Sequence, residues 1–344
     1  MSENQRDSRH FRRLIGGGLT TASGAYAVII LLYFGLRLIA GEALDPVALG
    51  SSLMPALLLP APILLVAMLS GRRWGSAGLL LPGAAFFLIG YGGRFVPPAL
   101  RAFSGGESAG RLTVLTYNLQ SKLDDFDPMI AIIREANADV VALQELLTPA
   151  SRAFDAALGD LYPYRVLRPT DDFARGMGIL SKFPLSEAHS FDAIILGSQR
   201  VRLTLDDGGQ IVFYNAHPVP PRALGDFDSS VRSAEIGVIL ADAEAFRGER
   251  VFMAGDFNAT DQTDDYARVR AAGFSDAYAA AGFSLGPTFP NMTRFGLRLP
   301  PIIRIDYVFY RGDCWQASAA RVIGDSGGSD HYPLLTEWGC AEMP

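Results

Sequence analysis

The sequence predicts an α+β fold of two packed sheets, set behind three apolar segments of membrane-spanning length. Three observations carry that prediction. The first hundred residues hold three apolar runs, each close to the ~20 residues that cross a bilayer as a helix. Beyond residue 110, short apolar strands alternate with helix starts and include a hairpin signal, which fits packed sheets better than a doubly wound parallel sheet. Several of those strands also end on Asp, Glu, Asn or His.

The 344 residues leave room for one or two domains and a large core. Up to Gly110 the chain carries nine basic and five acidic residues, and the remainder carries 21 and 31, a net of −10. Tight binding to nucleic acid through its phosphates needs a basic surface, so the balance disfavours it. The two cysteines, Cys314 and Cys340, lack zinc-site spacing. They either pair and pin the C-terminal tail or stay free.

Leu19 to Ala40, Ser51 to Ser70 and Gly75 to Gly93 are the three candidate spans, and a cleaved signal peptide accounts for the first at most. Pro55, Pro60, Pro62 and Pro82 break soluble helices but are tolerated in membranes. Arg6, Arg9, Arg12 and Arg13 precede the first span, and Arg72 and Arg73 lie between the second and third. The loop after the first span has Glu42 and Asp45 and no base. Basic residues stay cytoplasmic, so three crossings of an inner membrane would place the C-terminal part outside; Arg94 and Arg101 argue weakly against this. Residues 1–94 thus read as tail and membrane helices, 95–110 as a Pro/Gly/Ser linker, and 111–340 as the soluble domain.

Taken in order, Arg111 to Gln120 alternates as a strand, and Asp127-Pro128 opens a helix with Asp as its cap. Asp139 to Leu146 is a strand, Thr148-Pro149 opens another helix, and Met177 to Leu180 is an apolar strand core. Val201 to Leu205 and Ile211 to His217 flank Asp206-Asp207-Gly208-Gly209, a hairpin. A long helix over Ser229 to Phe246 precedes a strand over Val251 to Phe257 and a helix near Asp264 to Ala272. Strands over Ile303 to Tyr310 and Tyr332 to Trp338 close the set.

The Val251 strand stops at Gly255 and presents Asp256 and Asn258, two residues apart and expected on one face if the chain stays extended. Asn118, Glu145, His217, Asp306, Asp330 and His331 end or begin other strands. Carboxylates and amides without thiolates suit a hard cation, Mg2+ or Mn2+. Phosphate-ester hydrolysis needs such a cation, a group that aligns water, and a donor to the leaving oxygen.

Thr116-Tyr117-Asn118, Leu143-Gln144-Glu145, Gly255-Asp256-Phe257-Asn258, Ile305-Asp306-Tyr307 and Ser329-Asp330-His331 together resemble the endonuclease/exonuclease/phosphatase superfamily. Asn215-Ala216-His217 and Arg175 to Ser181 extend the resemblance, which runs from about Arg111 to Glu337 and leaves the membrane segment outside. It implies a four-layered α/β sandwich, two packed mixed sheets flanked by helices. It also implies that Glu145 and Asn118 hold the metal with Asp330 adding to its surroundings, and that Asp256 activates water. Asn258 would bind a phosphoryl oxygen, while Asp306 would orient a charged His331 that stabilises the transition state. His217 matches a second histidine present in some branches, but Pro218-Val219-Pro220-Pro221 departs from the pattern. The expected substrate is a phosphodiester in nucleic acid, a phospholipid headgroup or a small phosphoester; no protein partner is inferable.

Each residue also has a plainer reading: Asn118 as a turn cap, Glu145 as a surface ion pair, and His10 and His189 as solvated side chains. Asp306, inside an apolar strand, needs a buried partner in any reading. Two rivals remain. Gly324-Asp325-Ser326-Gly327-Gly328 spells the nucleophile loop of trypsin-like serine proteases, and His217, Asp256 and Ser326 follow that triad's order. The helix signals argue against its two barrels, and the stretch reads instead as a flexible approach to Ser329-Asp330-His331. The other rival is a membrane module that binds a phosphorylated ligand without cleaving it.

Overall fold

Apolar sequence becomes helix throughout the N-terminal unit, Met1–Phe95, of the computed structural model. The structure describes residues 3–97, 108–121, 123–172, 174–222, 227–294 and 297–341; the side chains of Arg6, Arg9, Arg12 and Arg13, and most of the expected linker, lie outside them. Helix α1 runs Glu3–Ala40, α2 Asp45–Leu58, α3 Pro60–Ser70 and α4 Trp74–Tyr91. Gly16–Ala43 and Trp74–Phe95 are long and apolar enough to cross a membrane. The segment expected as the second span is a bent pair, with α2 and α3 meeting at 50°. Proline has no N–H and its ring clashes with the preceding turn, so Pro60 starts a new helix rather than extending α2. The pair makes a third crossing only if it is counted as one span. Arg37, the lone charge of the first span, is paired at 3.0 Å with Glu42 and also donates to Ser51.

In the second unit, Val96–Pro344, the chain order is β1 (Ser108–Asn118), α5 (Asp127–Ala136), β2 (Val140–Gln144), α6 (Thr148–Leu158), β3 (Tyr164–Arg168), β4 (Met177–Ser181) and β5 (Leu185–Ser190). It continues through β6 (Gln199–Thr204), β7 (Gln210–Ala216), α7 (Ser230–Glu244), β8 (Val251–Asp256), α8 (Asp264–Ala271), β9 (Ser275–Asp276) and α9 (Ala277–Ala281). The hairpin β10 (Met292–Arg294) and β11 (Leu297–Leu299) precedes β12 (Asp306–Arg311), β13 (Trp315–Val322) and β14 (Leu334–Ala341).

Two mixed six-stranded sheets result, ordered β13-β14-β1-β2-β4-β3 and β5-β6-β7-β8-β12-β9. The parallel pairs β1–β2 and β7–β8 need long crossovers, which α5 and α7 supply. Alternation along β1 builds two cores at once. Leu112 and Val114 face the second sheet, in a cluster with Phe213, Phe252 and Val308, while Leu115 and Tyr117 pack with Ile133 and Phe154 of α5 and α6. On the far side Val212, Tyr214 and Met253 pack with Ile236 and Ile239 of α7. The layers are therefore helix, sheet, sheet, helix.

Local chemistry departs from expectation at the helix starts. Phe126 and Leu147 occupy the cap positions, so Asp127 and Thr148 are first-turn residues; the side chain that meets the Asp127 N–H is Asp125. His189 lies exposed on β5, in an edge-on ring contact with Phe191. Cys314 and Cys340 form a disulfide between β14 and the turn leading into β13.

Candidate active site

One end of the sandwich collects the strand termini. Asn118 ends β1, Asp256 ends β8, and Asp306 begins β12 directly opposite Asp256 in the antiparallel ladder. Like charges in that position repel, so something else must hold them together. A buried polar bolt aligns the sheets just beneath: the Gln144 amide donates to Asn215 Oδ1 at 2.7 Å, and the Asn215 amide donates to the Leu143 and Gly178 carbonyls. Strands β7 and β8 approach so closely there that a Cβ on Gly255 (φ +148°) would lie 1.9 Å from the Ala216 carbonyl oxygen.

Four of the expected residues meet around Asp256, which is fully buried. His331 Nε2 and His217 Nε2 each stand 3.7 Å from Asp256 Oδ2, and the Asn118 amide donates to the same oxygen at 3.1 Å. Asp306 Oδ2 lies 3.0 Å from His331 Nδ1, which supplies the partner its buried carboxylate needs. Glu145 joins through Asn118, whose Nδ2 is 3.2 Å from Glu145 Oε1, while the Ser121 N–H donates to Oε2. Glu145 sits just past β2 at φ 59°, a left-handed turn that swings it out of the strand. Asp330 is half-buried, positioned by its N–H bond to Gln120.

Asn258 corrects a sequence expectation. The chain leaves extended geometry after Asp256, and Asn258 has φ 50°; its N–H donates back to Asp256 Oδ1 at 2.9 Å and its side-chain amide donates to the Pro218 carbonyl. The two residues are joined by an Asx turn, not by a shared strand face. No motif marks the residues that clamp this turn. Arg232 of α7, almost fully buried, donates to the Asn258 carbonyl at 2.6 Å and pairs at 2.9 Å with buried Asp265 of α8.

The electrostatics separate the two histidines. Burial alone would lower the His331 pKa, but the Asp306 and Asp256 carboxylates outweigh it and raise it to about 10, so its ring is charged at neutral pH. Burial lowers His217 to about 4, with Glu145 pulling the other way, and this ring is neutral. Burial raises Asp256 to about 7; the charge of His331 opposes the rise and Asp306 adds to it. Asp330 is raised too, by burial first, then by Glu145 against the opposing His331.

Among the described residues, the acid and histidine groups close enough to enclose an ion are Asp256, Asp306 and His331, whose atoms lie within 4.8 Å of one another. This is a different set from the Asn118, Glu145 and Asp330 of the sequence reading. A protonated imidazole held between two carboxylates is a poor ligand, so this set reads as an ion-paired cluster. The donor chemistry at Glu145 fits a hard cation. Glu145 and Asp306 both act electrostatically on Asp330, Asp306 and the charged His331 act on Asp256, and both cysteines are tied up in the disulfide, which leaves no thiolate.

Ser326 takes no part in a triad. It is buried, its hydroxyl accepts from the Asn291 amide at 2.7 Å, and its carbonyl accepts from Tyr117 Oη. The glycine-rich stretch around it, expected to be flexible, is tied down at both of these points.

The sequence profile of the Endonuclease/Exonuclease/phosphatase family matches residues 115–331. The chain belongs to this family. Its members are phosphoester hydrolases, and the four-layered architecture agrees. No curated protein matches the sequence. Among solved structures, an endonuclease/exonuclease/phosphatase from Beutenbergia cavernae is 16% identical, covers 67% of this chain and 72% of its own, and superposes with a TM-score of 0.55. Truncated TDP2 of Caenorhabditis elegans is 19% identical, with 68% and 99% covered and a TM-score of 0.55. A mannosyl-6-phosphatase from Bacteroides thetaiotaomicron is 18% identical, with 66% and 99% covered and a TM-score of 0.52. At these identities the likeness speaks for the fold.

Proposed function

We propose that this protein is a membrane-anchored, divalent-metal-dependent phosphoesterase that favours phosphodiesters. The observation that carries the reading is the meeting of Asp256, Asp306 and His331 within 4.8 Å, with Asn118 linking Asp256 to Glu145. Glu145 and Asn118 would hold Mg2+ or Mn2+, with Asp330 adding negative charge to its surroundings. When bound, such an ion neutralises phosphoryl oxygens. Asp256, held by Asn118 and by the Asn258 N–H, accepts a proton from the attacking water; its pKa near 7 suits a base that works at neutral pH. His331, oriented by Asp306, presents an N–H where negative charge builds on the phosphoryl group. The Asn258 amide has two N–H groups and uses one on Pro218, which leaves one for a phosphoryl oxygen. Neutral His217, with Nε2 3.7 Å from Asp256 Oδ2, accepts or donates according to tautomer.

The catalytic domain is proposed to face outward from the inner membrane. The basic residues flanking the spans favour that orientation, and the Cys314–Cys340 disulfide is at home in an oxidising compartment. Candidate substrates are extracytoplasmic nucleic acid, a phospholipid headgroup or a small phosphoester, and the acidic balance favours the latter two. The test is a panel of plasmid, oligonucleotide, sphingomyelin and inositol phosphates with Mg2+ or EDTA. Metal-dependent turnover of at least one substrate supports the reading, and metal-independent turnover of all of them counts against it.

A further inference from the structure

His331 is the member of the acid–histidine cluster that no ladder holds. Asp256 ends β8 and Asp306 begins β12, whereas His331 lies in the connection between β13 and β14, residues 323–333, outside any strand. That connection carries Gly324, Gly327 and Gly328, the last two at φ +54° and +96°. Glycine loses more conformational freedom on folding than any other residue, so a loop of this composition needs ties from outside to keep one geometry. The tolerance is narrow, because a donor to developing charge works only where it is already aimed.

The ties come from two sides. On one, the Ser329 hydroxyl donates to the Asn118 carbonyl at 2.7 Å and accepts the His331 N–H at 3.0 Å. On the other, Thr288-Phe289-Pro290-Asn291 pairs with the loop. The Thr288 carbonyl accepts the Tyr332 N–H at 2.9 Å, and the Asn291 N–H donates to the Asp330 carbonyl at 2.7 Å. Between those bonds the Phe289 ring lies against the His331 imidazole, centroids 4.8 Å apart. The same segment is fastened to the approach to Asp306. The Thr288 and Phe289 N–H groups donate to the Ile303 carbonyl at 2.8 and 3.0 Å, and Thr288 Oγ1 accepts the Ile305 N–H at 3.3 Å. It therefore joins the backbones that carry Asp306 and His331, whose side chains meet at 3.0 Å.

Asn291 supplies the side-chain part of this join. Its half-buried amide donates to Ser326 Oγ at 2.7 Å and to the Ser329 carbonyl at 3.2 Å, while its Oδ1 accepts from Tyr332 Oη at 3.1 Å. An amide suits the place because it offers two N–H groups and an acceptor at once. These contacts bracket His331 in the chain. The Ser329 and Tyr332 contacts remain when the Ser326 hydroxyl is removed, so that hydroxyl is the dispensable one.

We infer that Asn291 is a positioning residue: it holds the loop that carries His331 in register with Asp306, and it acts on the reaction only through His331. The role deepens the phosphoesterase reading and rests on it for the reaction that is served. An asparagine that only stabilised the fold would lower the melting temperature and leave the contribution of His331 untouched.

The test is a double-mutant cycle on the full chain in detergent, hydrolysing bis-p-nitrophenyl phosphate at saturating Mg2+ and at a temperature where every variant is folded. Asn291→Ala is expected to lower kcat by about 10–100-fold, the cost of a misplacement of ~1 Å, with KM within about twofold. In a His331→Ala background the same change lowers kcat by less than about twofold, because the group it positions is gone. Tyr332→Phe loses only the hydroxyl that meets Asn291 Oδ1, so it keeps the proposal testable if Asn291→Ala fails to fold. It should lower kcat by about 2–5-fold, the worth of one neutral hydrogen bond, and do nothing in the His331→Ala background. A second readout needs no metal. In EDTA the amides of residues 326–332 exchange hydrogen about tenfold faster in Asn291→Ala than in wild type, with the strands unchanged. Losses that multiply in the double variants, wild-type kcat in both single variants, or unchanged exchange in that loop overturn the role. Wild type that hydrolyses nothing with Mg2+ removes the phosphoesterase reading and the role with it. Mg2+-dependent turnover with multiplying losses removes the role alone.

Discussion

The Asn118 amide donates to Asp256 Oδ2 at 3.1 Å, bridging a strand end of one sheet and a strand end of the other. The same nitrogen lies 3.2 Å from Glu145 Oε1, so one side chain sets the spacing between the proposed water-activating and metal-holding carboxylates. An amide can serve both because it carries two N–H groups. Asn118→Ala is therefore expected to lower kcat/KM by roughly 10–100-fold and to weaken apparent metal affinity, as loss of a group that orients ligands does. Titrating activity against Mg2+ concentration checks it; wild-type metal dependence in the variant contradicts it.

The Arg232–Asp265 pair holds the left-handed Asn258 turn from behind, at 1% and 2% side-chain exposure. Asp265→Ala leaves a buried guanidinium without its carboxylate, a loss of about 3–5 kcal/mol for a broken buried pair. The variant should melt at a lower temperature and also lose kcat, because the turn that fixes Asp256 Oδ1 loosens. Thermal melts and initial rates at a permissive temperature read the two effects separately.

These two relationships show what was legible in the sequence. Asn118, Glu145, Asp256, Asp306 and His331 stand in short motifs at strand ends, and the order of those motifs sufficed to foresee the fold's layers. Arg232 and Asp265 could not be foreseen. They lie on separate helices in ordinary polar sequence, and only packing makes them partners. Asn258 was misplaced because alternation assumes an extended chain, and the Asx turn breaks it. The edge strands β3 and β5 went unread because they are largely exposed and carry no apolar alternation. The bend at Leu59 was hidden because hydropathy sums over a proline that geometry does not ignore.

Acid should find His217. Its folded pKa of about 4 lies below the unfolded value of about 6.5, so between those values the unfolded chain binds the extra proton and stability falls as pH drops. Asp256, raised to about 7, works in the opposite direction over much of that window, so the wild-type melting curve alone is uninformative. The difference between His217→Gln and wild type isolates the histidine. In EDTA the variant should gain on wild type as pH falls from 6.5 towards 4, and a constant difference in Tm across that range would count against a buried neutral His217.

The disulfide sits at the other end of the sheet from the reactive residues. Strand β14 begins three residues after His331, and Cys340 lies near its far end. Closing a loop with a sequence separation of 26 stabilises by about 2–4 kcal/mol. Reduction, or Cys314→Ala with Cys340→Ala, should lower Tm by several degrees and leave kcat/KM within about twofold, since additivity holds for distant sites. A melt and a rate measured on the same preparation decide it.

The most direct measurement is hydrolysis of bis-p-nitrophenyl phosphate by the full-length protein with Mg2+ or with EDTA, alongside Glu145→Ala, His331→Ala and Ser326→Ala. The account predicts turnover that EDTA abolishes, a fall of about 10²–10³-fold in Glu145→Ala and His331→Ala, and little change in Ser326→Ala. Equal rates in wild type, Glu145→Ala and His331→Ala, indifferent to EDTA, would contradict it.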